Sequence, residues 1–327
     1  MDIQNRRALK NSAARALTVQ TYPPRQLALI HGAVTALAML ALAGVDFFLS
    51  QQVNNTGGLS GMGTRSVLQT IQTVMQYAVS FLLPFWQIGF LYAAIRMARG
   101  RQAQPADLAE GLRRFGPVFR LRLTRGLVFA ALAIASCQVS SFVYSFTPMG
   151  QVFMEEVIRQ LPASYTVDDM MLTLSKMVEG MSAQEQWQTF WPLLVFFGMI
   201  FSFVAVHTFY RFRFAEFVVM DQPRIRAIPA LIRSSRMTRG IRFQVFRLDL
   251  SFWWYYLVYV LALLVGYADL LLKRMGIALP VSEDAAYFLT YGLSLLVQMI
   301  LFAFAGSKLH TTWAVAYDGL KPPEEEK

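Results

Sequence analysis

The chain has 327 residues with a formal net charge of +10, and 55% of its residues are hydrophobic while only 15% are charged. Soluble domains carry about 25% charged residues, so this composition excludes a water-facing globule. The apolar residues also stand in long blocks, whereas soluble folds show alternating or one-faced patterns. The sequence therefore predicts an integral membrane protein. Its positive charge does not favour nucleic-acid binding, because the basic residues do not gather in one soluble module.

Six apolar stretches are long enough to cross a bilayer as helices. A hydrocarbon core of about 30 Å needs about 20 helical residues, whereas spanning strands need about 10 residues with strict alternation. The expected fold is an all-α, polytopic bundle of six transmembrane helices, with interfacial amphipathic helices in the cytoplasmic loops. The stretches are 27–49, 74–95, 126–146, 189–210, 250–272 and 286–306, in a membrane domain 26–317 between a basic segment 1–25 and a polar tail 318–327.

The first of these stretches follows several basic residues, as the core of a signal peptide does. Its length of about 23 residues exceeds the roughly 7–15 residues of a signal core, so it is predicted to be a retained span. The single cysteine, Cys137, lies inside an apolar stretch and cannot form an internal disulfide.

The loops between the stretches differ sharply in basic residues, and this difference predicts the orientation. The two termini and the loops after the second and fourth stretches carry 25 of the 30 lysines and arginines. Because basic loops stay on the cytoplasmic side of bacterial inner membranes, both termini and both of these loops are predicted to be cytoplasmic.

The outward loop 147–188 has a composition of its own, with six acidic residues against two basic ones. Its apolar residues recur at helical spacing, and Asp168 and Asp169 suit the positive end of a helix dipole. We expect two short amphipathic helices over the outer face. Two interpretations stay open, a solvated lid on the bundle and a solute-recognition site.

The two cytoplasmic loops are rich in arginine and contain no lysine. Eight arginines lie between Arg96 and Arg125, and nine lie between Arg211 and Arg247. The guanidinium group matches phosphate oxygens with two parallel hydrogen bonds, and basic helices with apolar residues lie in the headgroup layer. Anionic phospholipids are thus the predicted partner. The positive-inside rule alone, or a protein partner on these loops, would also explain the pattern. The headgroup candidates are Arg113, Arg114, Arg120, Arg233, Arg236, Arg239, Arg242 and Arg247.

Each arginine-rich loop leads into its next span through nearly the same phrase. The first is Val118-Phe119-Arg120-Leu121-Arg122-Leu123, and the second is Val245-Phe246-Arg247-Leu248-Asp249-Leu250. Membrane folds often use duplicated halves, so the phrases suggest that a unit of span, basic loop and span occurs twice.

The second arginine-rich loop carries an ordered series of short motifs. They are Asp221-Gln222-Pro223, Ala230-Leu231, Ser234-Ser235-Arg236-Met237, Arg239-Gly240 and Leu248-Asp249-Leu250-Ser251-Phe252-Trp253-Trp254. This series resembles the signature of the bacterial membrane proteins grouped as domain of unknown function 975. Arg7-Ala8-Leu9-Lys10 and Ala316-Tyr317-Asp318 resemble the family's basic opening and the close of its last span. The resemblance implies a bacterial cytoplasmic membrane and helical spans, and it implies no activity.

The motif residues also have a structural interpretation. Asp221 is expected to cap a helix start with Pro223 in the first turn, and Gly240 to end a helix in the left-handed conformation. Ser235 lies in the helix between them. Ser251 opens an aromatic run expected at the level of the lipid headgroups.

Polar groups inside the spans are few. His31, His207, Gln87 and Gln298 are the intramembrane candidates, and Asp269 is expected to pair with Lys273 four residues on. A path near Gln87 and Gln298 would suit a transporter of small solutes or lipids, or an accessory subunit of translocation.

Sequence motifs for catalysis and for metal binding are lacking. The three histidines lack zinc-binding spacing, and no Gly-x-Ser-x-Gly turn occurs. No catalytic residue, metal or cofactor is therefore predicted. The leading hypothesis is a non-enzymatic membrane protein that contacts the anionic inner leaflet, and the transporter is the alternative.

Overall fold

The computed structural model describes residues 5–55, 62–162, 164–277 and 281–321, and every regular element in these ranges is a helix. In chain order the helices are α1 Arg6–Thr18, α2 Pro24–Asn55, α3 Met62–Ala98, α4 Glu110–Arg113, α5 Phe115–Ser145, α6 Pro148–Gln160, α7 Val167–Gly180, α8 Ala183–Arg211, α9 Ala215–Asp221, α10 Ala227–Met237, α11 Arg242–Leu250, α12 Trp253–Val265, α13 Ala268–Arg274, α14 Glu283–Leu301 and α15 Ser307–Leu320. A 3-10 turn, Pro105–Ala109, precedes α4, and a π-helical segment, Phe302–Gly306, joins α14 to α15.

Within the described residues, five helical stretches are long and apolar enough to cross a membrane. A sixth is present if the bent pair α11 and α12 counts as one span. The five stretches are Pro24–Val53, Arg65–Ala98, Phe115–Ser145, Ala183–Asp221 and Glu283–Leu320. The prediction of an all-helical membrane bundle is confirmed, with five or six spans.

Several of these helices are longer than a bilayer requires. The last one runs for 38 residues from Glu283 to Leu320, which is about 57 Å at 1.5 Å per residue against a hydrocarbon core of about 30 Å. The helix is therefore longer than a perpendicular crossing of the apolar layer requires. The polar tail predicted from residue 318 begins later than expected, because α15 continues to Leu320. Residues 322–327 of that tail lie outside the described ranges.

Helix starts in the acidic loop follow from capping side chains. The Thr166 hydroxyl accepts from the Asp169 amide, and the Asp169 carboxylate accepts from the Thr166 amide. Ser182 and Glu185 form the same reciprocal box and satisfy amides that a helix start leaves free. The two short helices predicted for this loop are present as α6 and α7. The fourth span begins at Ala183, earlier than the predicted residue 189, because this box starts the helix there.

The predicted stretch 250–272 is divided among several helices in the structure. α11 and α12 meet at an angle of 59° around Ser251 and Phe252, and α12 ends at Val265 before α13 begins at Ala268. The Ser251 hydroxyl donates to the carbonyl of Leu248 at 2.6 Å and closes the last turn of α11. An apolar run in the sequence predicts that a segment lies in lipid. It does not predict where hydrogen bonds to other parts of the chain bend the helix.

The chain forms two compact units, Met1–Leu121 with Arg213–Lys327, and Arg122–Phe212. In the first unit, the largest buried side chains include Trp313, Tyr317 and Phe214. In the second unit, the Tyr144 hydroxyl donates to the carbonyl of Thr189 at 2.8 Å and ties α5 to α8.

The first arginine-rich loop lies directly on the backbone of α3 in the first unit. A Cβ atom at Gly89 would stand 1.7 Å from the carbonyl oxygen of Leu108, and one at Gly111 would stand 2.0 Å from that of Phe85. Only glycine permits this contact at either position. The loop is therefore a packed part of the fold.

Candidate functional site

The short helices of both arginine-rich loops and α1 gather at one end of the first unit. We call this set the charged cap, and it comprises α1, the 3-10 turn, α4, α9, α10 and α11 with the last turns of α3 and α15. Contacts of α1 with α15 and α3, and of α9 with α3 and α10, join its parts. Five of the eight headgroup candidates lie in these helices, and they are Arg113, Arg233, Arg236, Arg242 and Arg247. Arg114 and Arg239 follow the ends of α4 and α10, while Arg120 lies in α5.

An ionic cluster around Arg99 and Asp221 lies at the centre of the charged cap. Arg99 donates from Nη1 to Asp221 Oδ1 at 2.6 Å and from Nη2 to Asp318 Oδ1 at 2.7 Å. The Tyr317 hydroxyl and Lys321 Nζ also reach Asp221 Oδ2, at 3.0 and 3.2 Å. These contacts join α3, α9 and α15 through residues far apart in the chain.

The electrostatics of this cluster favour the ionised pair. Asp221 lies beyond the apolar part of the fourth span, which ends at Arg211 and Arg213. Burial by itself raises the pKa of the Asp221 carboxyl, but hydrogen bonds from Arg99, and then from Lys321 and Tyr317, outweigh burial and lower the pKa to about 2. The hydrogen bonds to Asp221 and Asp318 raise the pKa of Arg99 in turn.

A second buried carboxylate, Asp249, organises the bend between α11 and α12. It is 7% exposed and accepts from Trp313 Nε1 at 3.1 Å and from the Tyr256 hydroxyl at 2.9 Å. Arg213 lies 3.5 Å from the same carboxylate oxygen and stands over the Trp313 ring. Residues of both the second loop motif and α15 thus meet in one polar centre.

The structure corrects two expectations for the motif. Asp221 does not cap a helix start, because it is the last residue of α9 and its carboxylate is held by Arg99. Pro223 lies in the turn between α9 and α10, outside the first turn of a helix. Gly240 has a φ of +80°, so the left-handed conformation predicted for it is present. Ser235 is half-buried on α10, where Thr238 donates weakly to its carbonyl, and Ser251 sits at the bend.

Several of the predicted headgroup arginines are engaged inside the protein. Arg114 donates to Glu110 at 2.8 Å and to the carbonyl of Met220 at 2.5 Å, and Arg233 donates to Gln222 at 2.8 Å. Arg114 and Arg233 therefore have hydrogen-bond partners within the fold, a role that the sequence prediction did not include. Arg120 and Arg247 are exposed and Arg242 is half-buried, and each of them has contacts within the chain.

Four arginines on α10 or beside its two ends have no ion-pair partner among the described residues. Arg236 and Arg239 are both exposed there, after Arg224 and Arg226 in the preceding turn. Ile228 and Ile232 stand on the same surface and are 60% and 47% exposed. We call these six residues the α10 patch. Arg113, on α4, is also exposed and lies 3.6 Å from Glu110.

The N-terminal helix α1 was missed by sequence reasoning, which predicted only a basic segment. Asn5 caps its start, and Leu9 and Ala13, one turn apart, are buried. Lys10 Nζ donates to the carbonyl of Ser251 at 2.9 Å and lies over the Phe252 ring. Burial, Lys308 and Arg6 lower the pKa of Lys10. The cap residue and the spacing of the two apolar residues were the available signals.

The predicted intramembrane polar residues do not come together. His31 is buried and its ring stacks on Trp86 at 5.4 Å, next to Phe302. Gln298 donates to Ser294 in its own helix at 3.0 Å, while Gln87 is exposed. His207 is exposed on α8 in the second unit. A shared polar path through Gln87 and Gln298 is not formed by these side chains.

The predicted pair of Asp269 with Lys273 is also absent. Lys273 Nζ instead contacts both carboxylate oxygens of Glu283, at 2.8 and 2.9 Å. In the described parts of the chain, no group of three or more His, Cys, Asp or Glu residues is placed to hold a metal ion.

Comparison of the sequence with protein-family models finds no match, and neither curated proteins nor solved structures resemble the chain.

Proposed function

We propose that this chain is a multi-pass protein of a bacterial cytoplasmic membrane that binds anionic phospholipid headgroups through the α10 patch and performs no catalysis. The α10 patch carries this proposal. Arg236, Ile228 and Ile232 are exposed at helical spacing on α10, and the three other arginines flank the helix in sequence, while its buried residues are Ala230, Leu231, Ser234 and Met237. Exposed apolar side chains next to arginines suit the boundary between headgroups and acyl chains.

The arginines of the charged cap have different roles, and this difference supports the same proposal. Arg99, Arg114 and Arg233 hold the charged cap together and face carboxylates, an amide or a backbone carbonyl. A rigid cap fixes α10 with its patch outward, so the free guanidinium groups are held ready for phosphate oxygens. Each basic residue near an anionic leaflet contributes about 1 kcal/mol to binding.

The orientation belongs to this proposal. The 25-to-5 distribution of basic residues favours the charged cap on the cytoplasmic side, where anionic lipids attract arginine. A cysteine introduced at Ser235 or Gln102 is expected to react with a membrane-impermeant maleimide only after the cells are opened. Labelling of intact cells would contradict the proposed orientation.

The lipid proposal is tested with the full-length protein in neutral detergent, titrated with short-chain phosphatidylglycerol or phosphatidylcholine. Phosphatidylglycerol is expected to bind more tightly, with an affinity that falls as salt rises. Arg236→Gln with Arg239→Gln should weaken this binding by about 10- to 30-fold. The matched control is Arg65→Gln with Arg274→Gln, which removes the same charge from exposed positions far from the charged cap. Equal binding of both lipids would overturn the proposal.

A further inference from the structure

A cavity of about 550 Å³ opens in the first unit between α13 and the start of α14. Charged residues on its wall include Asp269, Lys273 and Glu283, and apolar residues include Ile277 and Val281. α2, α3 and the long helix α14–α15 all run from this end to the charged cap, so the cavity lies at the opposite end of the unit from the α10 patch. It is therefore independent of the proposed lipid function.

One carboxylate on the cavity wall, Asp269, is half-buried and has an oxygen without a hydrogen-bond donor in the described part of the chain. Asp269 Oδ1 is buried without a hydrogen-bond donor among the described residues, and Lys273, its predicted partner, is held by Glu283. A partly desolvated carboxylate oxygen without an internal donor is a favourable place for a hydrogen-bonding cation. Asp269 is thus an acceptor with no internal donor.

A second carboxylate, Asp46 on α2, lies close to the same place. It accepts from the side-chain amides of Gln72 and Gln76 on α3, which orient it without neutralising it. Both Asp46 and Asp269 act electrostatically on Tyr287, which lines the cavity. The rings of Phe47 and Phe288, which follow Asp46 and Tyr287 in the chain, lie 5.2 Å apart. Helices α2 and α13 therefore each bring one carboxylate towards Tyr287 on α14.

The aromatic surroundings add to the attraction for a cation. The ring of Tyr287 stacks on Tyr291 with centroids 5.8 Å apart. Tyr267 is close enough to interact electrostatically with both tyrosines. Aromatic faces attract ammonium groups, most strongly where water is excluded. Carboxylate, tyrosine and aliphatic side chains are together the usual wall of an organic ammonium site.

The class of cation follows from what the wall lacks. Hard metal ions require several oxygen or nitrogen ligands, and no trio of His, Cys, Asp or Glu among the described residues could hold one. The cavity instead falls within the range of about 300–1,000 Å³ that suits small organic ligands. We propose that it binds a small organic cation, with Asp269 facing the ammonium group, Tyr287 beside it, and Ile277 and Val281 against its hydrocarbon part.

The test uses the full-length protein in neutral detergent with n-butylammonium chloride as the probe. Its dissociation constant is measured by calorimetry, against sodium chloride at equal ionic strength and against n-butanol. Butylammonium is expected to bind and to raise the unfolding midpoint, while sodium chloride and butanol do not. Butanol binding as tightly as butylammonium would mean a merely apolar cavity, and no binding of butylammonium would mean no cation site. Either result overturns the proposal.

Variants distinguish binding in the cavity from a general attraction of cations to acidic residues. Asp269→Asn should weaken butylammonium binding by about 30-fold or more, and Asp168→Asn, an exposed carboxylate on α7, should leave it unchanged. Tyr287→Leu keeps the test valid if Asp269→Asn does not fold, because loss of the aromatic face should weaken binding by about 3-fold or more. Unchanged binding in folded Asp269→Asn protein would overturn the proposal.

Discussion

Arg99 at the end of α3 and Asp221 at the end of α9 form an ion pair at 2.6 Å between positions 122 residues apart. Asp221 is 8% exposed and Arg99 is 26% exposed, so the pair is largely shielded from water. Asp318 extends the pair to α15. A single guanidinium group thus joins three helices that the chain sequence separates widely.

Arg99→Gln is expected to destabilise the protein by about 3 kcal/mol. Removal of one partner from a buried ion pair leaves an uncompensated charge and costs about 3–5 kcal/mol, and the partial exposure of Arg99 places it at the lower end. Thermal unfolding in detergent measures the loss. Arg101→Gln is the matched control, since Arg101 is exposed and has no side-chain ion pair among the described residues. Equal effects of the two variants would contradict the assignment.

The same cluster predicts a pH dependence of stability. The Asp221 carboxyl has a pKa of about 2 in the folded protein and about 3.9 in an unfolded chain. Its contribution is therefore complete above about pH 4 and is lost as the pH falls through about 2. The unfolding midpoint of the natural protein should drop between pH 4.5 and 2.5 more than that of Asp221→Asn. Parallel curves for the two proteins would exclude Asp221 as the titrating group.

The contact between the first arginine-rich loop and α3 predicts that one added methyl group at Gly89 strongly lowers the stability of the protein. Gly89→Ala places a Cβ atom 1.7 Å from a backbone oxygen that cannot turn away, so we expect a loss of about 3 kcal/mol or more. Gly44→Ala is the control, because nothing lies within 4 Å of that position in α2. There the substitution should be neutral or stabilise by up to about 1 kcal/mol. Detergent-solubilised yield and unfolding midpoint report both effects.

The spans were predictable because crossing lipid depends on composition and length, which a local window of sequence contains. The repeated phrase was also informative. Val118 and Val245 are both buried, as are Leu121 and Leu248, so equivalent apolar positions have the same burial. The two copies differ afterwards, since α5 is one helix to Ser145 while the second copy bends at Ser251. At that bend Asp249 accepts hydrogen bonds from Tyr256 on α12 and from Trp313, and Trp313 is 64 residues away in the chain.

The role of each arginine could not be read from the sequence. Arg233 and Arg236 lie one turn apart in α10, yet Arg233 donates to Gln222 while Arg236 is exposed without an ion pair among the described residues. Arg99 meets Asp318 across 219 residues. The topological rule counts positive charge on one side of a membrane. It does not distinguish an arginine that holds the fold from one that faces the lipid.

We expect the protein to lose stability when Asp249 loses one of its hydrogen-bond donors. Trp313→Phe keeps the apolar contacts of the ring but removes the Nε1 donor at 3.1 Å from the buried carboxylate. We expect a loss of about 1–3 kcal/mol, the usual penalty for a buried polar group that loses a partner. Trp191→Phe, at a position 45% exposed, should stay within about 0.5 kcal/mol. Equal unfolding midpoints for the natural protein and Trp313→Phe would show that Asp249 does not need this donor.

The isoleucines and arginines of the α10 patch should contribute to lipid binding in different ways. Ile228→Ser with Ile232→Ser removes apolar area that enters the acyl region, where a fully buried isoleucine contributes about 1.5–3 kcal/mol. Binding of phosphatidylglycerol should weaken while its dependence on salt stays the same, since no charge is lost. Arg236→Gln with Arg239→Gln should instead reduce the salt dependence, because screening acts only on the charges that remain. Ile158→Ser, at a position 59% exposed on α6, is the control and should change neither property. If the isoleucine variant kept full affinity, the patch would contact headgroups by charge alone and would not enter the bilayer.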